Sequence, residues 1–379
     1  MKNGTAKSWV DVSSSALVSN ANELKRLAGD SAFMAVVKSN AYGHGIRQTV
    51  KAVNRQADWF GVDSLEEAEI VREAKSKKPT LILGYVPYQL LKSVVKQGFS
   101  QVVYSRPTID LLSRHATKSR PAKVHIKLET GTSRQGIETK ELPTFLRYIY
   151  RRPNLIVEGL STHFANIEDT ADPAYAFLQL KRFKEAVKIV ERLGKKPPFL
   201  HTACSAAAII YPETQFDLIR TGISLYGLWS SKITKGAAVD RGINIQLKPA
   251  LTWKTIVAQV KKIRSGTPVS YGLTEKVRRD SIVAIIPVGY WDGFDRGQSS
   301  VGNVLINGSR AKVLGRVCMN MTIVDVTDIH RVYEEDEVVI IGRQGREEIS
   351  AEEFAERIGT VNYEAVTRIN PMLPRIVVR

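Results

Sequence analysis

The chain has 379 residues, 43% of them apolar, enough to bury a large core in one to three domains. No apolar run approaches the ~18 residues of a membrane span, and two cysteines, Cys204 and Cys318, exclude a disulfide framework and suit a reducing compartment. The net charge of +17 raises nucleic-acid binding, but the basic residues are spread along the whole chain. The densest clusters, at Lys75-Ser76-Lys77-Lys78, Arg151-Arg152 and Arg278-Arg279, have no interleaved aromatics and read as solvated helix ends and loops. A basic surface would still speed encounter with anions. Met1 to Asn20 lacks a basic segment followed by an apolar stretch, so a cytoplasmic protein is expected.

The first strong element is an apolar, β-branched run over 33–37 that delivers Lys38 to its C-terminal end. Ser39-Asn40-Ala41-Tyr42-Gly43-His44-Gly45 follows, a small, polar, glycine-punctuated turn where backbone can approach a ligand. A lysine amine desolvated at such a place is suited to forming an imine with a carbonyl compound. The bland alternative is a lysine that snorkels out of a strand end. Further apolar runs follow near 58–62, 80–83, 101–104, 123–128, 155–160, 198–201 and 217–225, with amphipathic segments between them. Ser64-Leu65-Glu66-Glu67 is a capping box heading a helix to about Lys75. Eight strand–helix units in roughly 200–230 residues predict a (β/α)8 TIM barrel. A doubly wound sheet competes, but no Gly-x-Gly-x-x-Gly follows the first strand.

In such a barrel, functional residues gather at the C-terminal strand ends. On the fifth strand, His125, Lys127 and Glu129 alternate with Val124, Ile126 and Leu128. The apolar set should face the helices, which turns the polar set inward, where it needs partners or a ligand. The sixth strand ends in Ser161-Thr162-His163-Phe164-Ala165, where a lone His is as readily structural as functional. The seventh leads to His201-Thr202-Ala203-Cys204-Ser205, with a helix starting near Ser205. A serine there is usually only a cap, yet the same geometry offers N–H groups to a phosphate. The eighth carries Arg220-Thr221-Gly222-Ile223.

After about Lys235 the pattern turns β-rich: Gln246 to Val260, Ser281 to Val288, Asn303 to Val326 and Asp336 to Ile341. Asn307-Gly308 predicts a type I′ hairpin turn. One helix starts at the capping box Ser350-Ala351-Glu352-Glu353 and stops at Gly359. The stretch 232–244 has no periodicity and reads as a linker. The expected domains are a barrel over 1–235, with 1–12 as a strand that packs with the second domain, and a mostly β domain over 236–379.

These motifs, in this order, resemble alanine racemases over nearly the whole chain. The Lys38 segment is similar to that family's pyridoxal-phosphate lysine segment. Glu129-Thr130-Gly131-Thr132-Ser133-Arg134-Gln135-Gly136 is similar to its Asp-Thr-Gly-Met-x-Arg-x-Gly, with Glu129 for Asp and Thr132 for Met. Val269-Ser270-Tyr271-Gly272, Pro287-Val288-Gly289-Tyr290-Trp291-Asp292-Gly293 and Gly315-Arg316-Val317-Cys318-Met319-Asn320 resemble three further segments, with Asn320 where the family usually has Asp. The resemblance implies pyridoxal 5′-phosphate carried on Lys38 and contacted by His163, its phosphate bound by Tyr42, Ser205, Gly222 and Ile223, and Arg220 against the pyridine nitrogen. It also implies Lys38 and Tyr271 as the two catalytic bases, with His163 and Arg220 helping Tyr271 to ionise. Arg134 and the Met319 N–H would bind the substrate carboxylate. The family lysine matching Lys127 is often carbamylated and holds the matching arginine; Tyr290 would shape the entrance, with Cys318 and Asn320 beside it. A phosphate-binding tyrosine of some members falls on Pro371. The implied protein is a cytoplasmic homodimer with shared active sites that interconverts L- and D-alanine for peptidoglycan, with no metal, nucleic-acid or membrane partner. Alternatives are a racemase of Ser, Lys, Arg or a broader set, or a barrel-type amino-acid decarboxylase, a family that places a carboxylate where Arg220 stands.

Overall fold

The computed structural model describes residues 6–379, and the chain divides into two compact units. One is formed by Ala16–Ala41 and Thr49–Lys248; the other by the chain up to Ser15, Tyr42–Gln48 and Pro249–Arg379. The chain opens with β1 (Ser8–Ser13), a strand of the latter unit.

The first unit is the expected barrel. Its strands are β2 (Ala32–Val36), β3 (Trp59–Val62), β4 (Thr80–Ile82), β5 (Ser100–Val103), β6 (Ala122–Glu129), β8 (Leu155–Ser161), β9 (Phe199–His201) and β10 (Leu218–Thr221), with a two-residue β7 (Ile137–Glu138) beside the end of β6. The ladders are parallel in the order β10-β2-β3-β4-β5-β6-β8-β9. The last gap is bridged by Asp217 N–H to Leu200 O and Arg220 N–H to Ala203 O, each 3.0 Å. Their near-continuous apolar character suits strands covered on both faces. Ser64 caps the helix Leu65–Glu73 by accepting from Glu67 N–H. The stretch 232–244 is not a bare linker. Ser231 accepts from Thr234 N–H and starts a helix over Lys232–Asp240 that buries Thr234 and Ala238. Its lysines and Gly236 hide the period, since only a short apolar stripe is needed on so short a helix.

In the second unit β1 pairs antiparallel with β11 (Leu251–Ile256) and parallel with β21 (Arg375–Val378). The strands between these two in sequence are β12 (Gln259–Ile263), β13 (Pro268–Val269), β14 (Glu275–Lys276), β15 (Ser281–Ile286), β16 (Asn303–Ile306), β17 (Ser309–Lys312), β18 (Thr322–Asp325), β19 (Glu337–Gln344) and β20 (Glu347–Ile349). The main sheet runs β17-β16-β19-β11-β1-β21, with β20 on β19; β12-β15-β18 form a second sheet and β13-β14 a ribbon. Asn307 and Gly308 both have positive φ (49° and 73°), as a type I′ turn demands. Ser350 caps Ala351–Glu356, and Gly359 follows at φ 71°. A further helix, Asn362–Thr367, has no side-chain cap, which is why the sequence did not announce it.

Trp253 is fully buried at the centre of this unit, and its indole N–H reaches Ser8 Oγ at 3.1 Å. Phe294 and Phe354 lie 6.2 and 6.3 Å from it, ring centre to ring centre, tilted or edge-on. Trp253→Ala leaves a cavity, so unfolding in denaturant should show a loss of about 3–5 kcal/mol.

Candidate active site

The barrel mouth holds an unusual concentration of positive charge. Arg220, on β10, is 7% exposed and makes its hydrogen bonds to neutral acceptors: the carbonyls of Thr162 (2.8 Å), His201 (2.8 Å) and Thr202 (3.0 Å), and His201 Nδ1 (2.6 Å). His163 Nδ1 lies 3.4 Å from the same guanidinium. The ends of β8 and β9 are thereby tied to β10 by one side chain. Burial lowers Arg220 to about 10, still a full cation at neutral pH. Burial, then Arg220 and the neighbouring Lys127, Arg134 and Lys38, push His163 well below the ordinary histidine range. Both His163 and the fully buried His201 are therefore neutral.

Lys38 follows β2, its Nζ 3.8 Å from Asp63 Oδ1 and its side chain 38% exposed. The turn after it is not an ordinary one. Ser39, Asn40, Ala41 and Tyr42 all sit near φ 50°, a left-handed turn built without glycine. Each such residue costs roughly 1–2 kcal/mol. Ala41 N–H bonds Val37 O at 2.8 Å, and Asn40 N–H bonds Glu67 Oε1 at 3.2 Å. Nothing in the side-chain types announced this strain; besides the local bond to Val37, the turn is held by a carboxylate from the helix Leu65–Glu73.

On β6 the alternation places His125 in the core and leaves Lys127 and Glu129 half-buried. Glu129 caps its own loop. It accepts from the Gly131 and Arg134 N–H groups and from the Thr132 hydroxyl. Arg134 itself is exposed beyond that loop. Lys127 is the group most affected: burial, then Arg220, Arg134 and Lys38, lower its ammonium to about 8.

Ser205 opens the helix Ser205–Ile210, and its Oγ accepts from Gly222 N–H (3.0 Å) and Ser224 N–H (3.4 Å). Ile223 is buried at the start of the turn that follows β10. The Thr221 and Ser224 hydroxyls are buried there with no hydrogen-bond partner. Cys204 is pushed up to about 11 by burial and stays a thiol. The arrangement brings together Lys38, Lys127, His163, Ser205, Arg220, Gly222 and Ile223 from the sequence-derived set. It adds His201 and Asp63, whose only signal was a polar residue at or beyond a strand end, and Glu67, which the sequence marked only as part of a capping box.

Arg134 belongs to the barrel unit as well, its charge acting on Lys127 and His163, and the other sequence-derived residues belong to the second unit. Tyr42 lies at φ 51°, its ring 6.2 Å from that of Tyr363. Tyr271, Tyr290 and Met319 are exposed around a cavity of about 360 Å³ that Arg296, Arg316, Val317 and Cys318 also line. Gly289 lets two loops meet there, since a Cβ would lie 2.1 Å from Cys318 O. Ser270 (φ 63°) donates to Arg316 O at 2.5 Å and stands 3.5 Å from Cys318 Sγ, which orients the segment bearing Tyr271. Asn320 is half-buried, and Pro371 is exposed. Among the described residues no His, Cys, Asp and Glu group could hold a metal, and no helix is long and apolar enough to cross a membrane.

Residues 12–230 match the family model for the alanine racemase N-terminal domain, and residues 250–377 the model for its C-terminal domain. The chain belongs to the alanine racemase family. It is 36% identical to the alanine racemase of Leptospira interrogans over 99% of this chain and 96% of that one. It is 38% identical to that of Halothermothrix orenii, covering 98% and 97%. Among solved structures, the alanine racemase of Bacillus anthracis with bound L-Ala-P superposes with a TM-score of 0.90 at 33% identity, covering 99% and 96%. That of Streptomyces lavendulae gives 0.91 at 30% identity, covering 100% and 98%. The Glu129 carboxylate closes the loop before Arg134.

The electrostatics of Lys127 are measurable. Its folded-state pKa lies below the unfolded value near 10.5, so the unfolded chain binds more protons between about 8 and about 10.5. Lys127 therefore contributes stability that rises with pH across that window. In carbon-dioxide-free buffer, the Lys127 Cε resonance, assigned by its loss in Lys127→Arg, should titrate near 8. A midpoint with the surface lysines would overturn the assignment.

Proposed function

We propose that the chain interconverts L- and D-alanine, with pyridoxal 5′-phosphate held covalently by Lys38 and each active site shared between two copies of the chain. The observation that carries this reading is the Arg220 clamp, a buried, permanently charged donor with neutral acceptors; a barrel-type decarboxylase is expected to offer a carboxylate in its place. The donor set suits the cofactor. Lys38 supplies an amine at the barrel mouth, Ser205 with the Gly222–Ile223 turn a polar cradle containing unpaired buried hydroxyls, and Tyr42 a phenol. When bound, the cofactor supplies electron withdrawal that acidifies the Cα–H of an amino acid joined to it.

The chain's own residues then decide the outcome. Arg220 would face the pyridine nitrogen, and a guanidinium that keeps its protons gives none to that nitrogen. Electron withdrawal stays moderate, which favours return of a proton to Cα over leakage to transamination. Racemisation needs a base on each face of Cα. Lys38 Nζ serves the D-isomer, and Tyr271 of the partner subunit serves the L-isomer. Arg134 and the N–H of the partner subunit's Met319 receive the substrate carboxylate, and the partner's Tyr290, which lines one cavity with the partner's Tyr271, narrows the entrance, with the partner's Cys318 and the partner's Asn320 beside it. With a pKa of about 8, about a quarter of Lys127 is neutral at pH 7.5, against about one part in a thousand for an ordinary lysine. That neutral amine can add to carbon dioxide, releasing a proton and leaving a carbamate that pairs with Arg134. The product would serve cytoplasmic synthesis of peptidoglycan.

Borohydride reduction followed by peptide mass spectrometry should locate the cofactor on Lys38, and the loaded protein should exchange the α-proton of alanine in heavy water. An adduct on another lysine, or none after adding cofactor, refutes the assignment.

Sharing of the site has its own test. Lys38→Ala and Tyr271→Phe homodimers should each be nearly inactive. A mixed dimer has one site missing both bases and one intact. With random exchange about half the dimers are mixed, so about a quarter of wild-type activity should return. No recovery despite proven heterodimers places both bases on one chain.

A further inference from the structure

Arg220 is a buried cation without a carboxylate among its hydrogen-bond partners. Such a charge is costly unless something compensates it. The compensating anion lies two rings away. A guanidinium can only donate, so His201 Nδ1, 2.6 Å from Nη1, must accept. The single proton of neutral His201 then sits on Nε2, which meets His125 Nδ1 at 2.8 Å. That nitrogen must accept in turn, leaving the His125 proton on Nε2. His125 Nε2 is buried with no hydrogen-bond partner, and the anion it faces is Glu158, with Oε2 at 3.8 Å. This last contact is an ion-pair distance, longer than a hydrogen bond.

The rest of the neighbourhood holds this sequence of contacts in place. Burial lowers the pKa of both histidines, so neither ring carries a charge of its own. Burial opposes ionisation of Glu158, but His125, the Ser100 hydroxyl and Lys123 overcome it and hold the carboxyl at about 2. Ser100 Oγ donates to Glu158 Oε2 at 2.6 Å, and Lys123 Nζ stands 3.2 Å from Oε1. The His125 ring cannot swing aside. The β6–β8 register shifts between Val124 and His125, which sets Gly159 opposite the ring, where a Cβ would lie 2.1 Å from Nδ1. Trp59 meets the ring edge-on at 5.5 Å and Phe199 stacks on it at 6.5 Å.

We propose that Glu158 is the remote counter-charge of Arg220: two hydrogen bonds with one permitted direction, Arg220 to His201 to His125, turn the last N–H, on His125 Nε2, toward the Glu158 carboxylate 3.8 Å away. Glu158, His125 and His201 are positioning residues. This relay is a property of the chain alone; its effect on catalysis rests on the reading that Arg220 faces the cofactor.

Three measurements on the full-length holoenzyme test it. Nitrogen-15 spectra of histidine-labelled protein at neutral pH should show His125 and His201 both protonated on Nε2 alone. A proton on Nδ1 of either ring, or an imidazolium, overturns the relay. Glu158→Gln should lower the melting temperature more in the Arg220 protein than in the Arg220→Met background, a coupling that a merely structural glutamate would not show. Equal losses overturn the counter-charge. Finally, Glu158→Gln should lower kcat for alanine by about tenfold, the scale of outer-shell partners of a charged group, with KM little changed. A raised KM with kcat kept would overturn the catalytic part. Should the protein prove not to be a racemase, the spectra and the melting cycle still decide the relay.

Discussion

A guanidinium in the interior of a barrel, bonded to three carbonyls and an imidazole nitrogen, is the constraint on which the rest of this site depends. Carbonyls of Thr162, His201 and Thr202 converge on Arg220 only because β8, β9 and β10 end at the same level. The barrel supplies that convergence, and two backbone bonds, from Asp217 N–H to Leu200 O and from Arg220 N–H to Ala203 O, close the ring beside it. In return the side chain ties the strand ends together. The cluster of Lys38, Lys127, Arg134 and Arg220 then sets its own chemistry: each cation raises the cost of protonating its neighbours, and Lys127 and the histidines yield.

Strain is concentrated at the other end of the site. The left-handed turn at Ser39–Tyr42 is held by Val37, by Glu67 and by the rigid strand before it. Strained backbone persists only where the surroundings over-determine it, and such places are commonly functional. A fixed turn keeps the lysine that precedes it from wandering. In the second unit the same logic is applied with different parts: Ser270 and Gly289 take conformations or approaches that bring the Tyr271, Tyr290 and Met319 segments around one cavity.

Much of the fold was legible because periodicity reports burial directly. Apolar runs at strand spacing, separated by capped helices, predicted the barrel, and Asn307-Gly308 and Ser350 predicted a hairpin and a helix that the structure contains. The helix at Lys232–Asp240 was missed because it buries too few residues to leave a pattern. The one at Asn362–Thr367 lacked a capping side chain.

The amino-acid sequence by itself determined the barrel followed by a β-rich unit, the family, and which polar residues stand at strand ends. These follow from local pattern and from motifs in order, which survive without knowledge of distances. Only the tertiary structure decided that Arg220 has no carboxylate partner, that Glu129 caps its own loop, and that His125 and His201 lead outward to Glu158. Those relations join residues from β6, β8, β9 and β10, far apart in the chain. They depend on register, on one bulge and on the space left by Gly159, none of which a one-dimensional pattern contains.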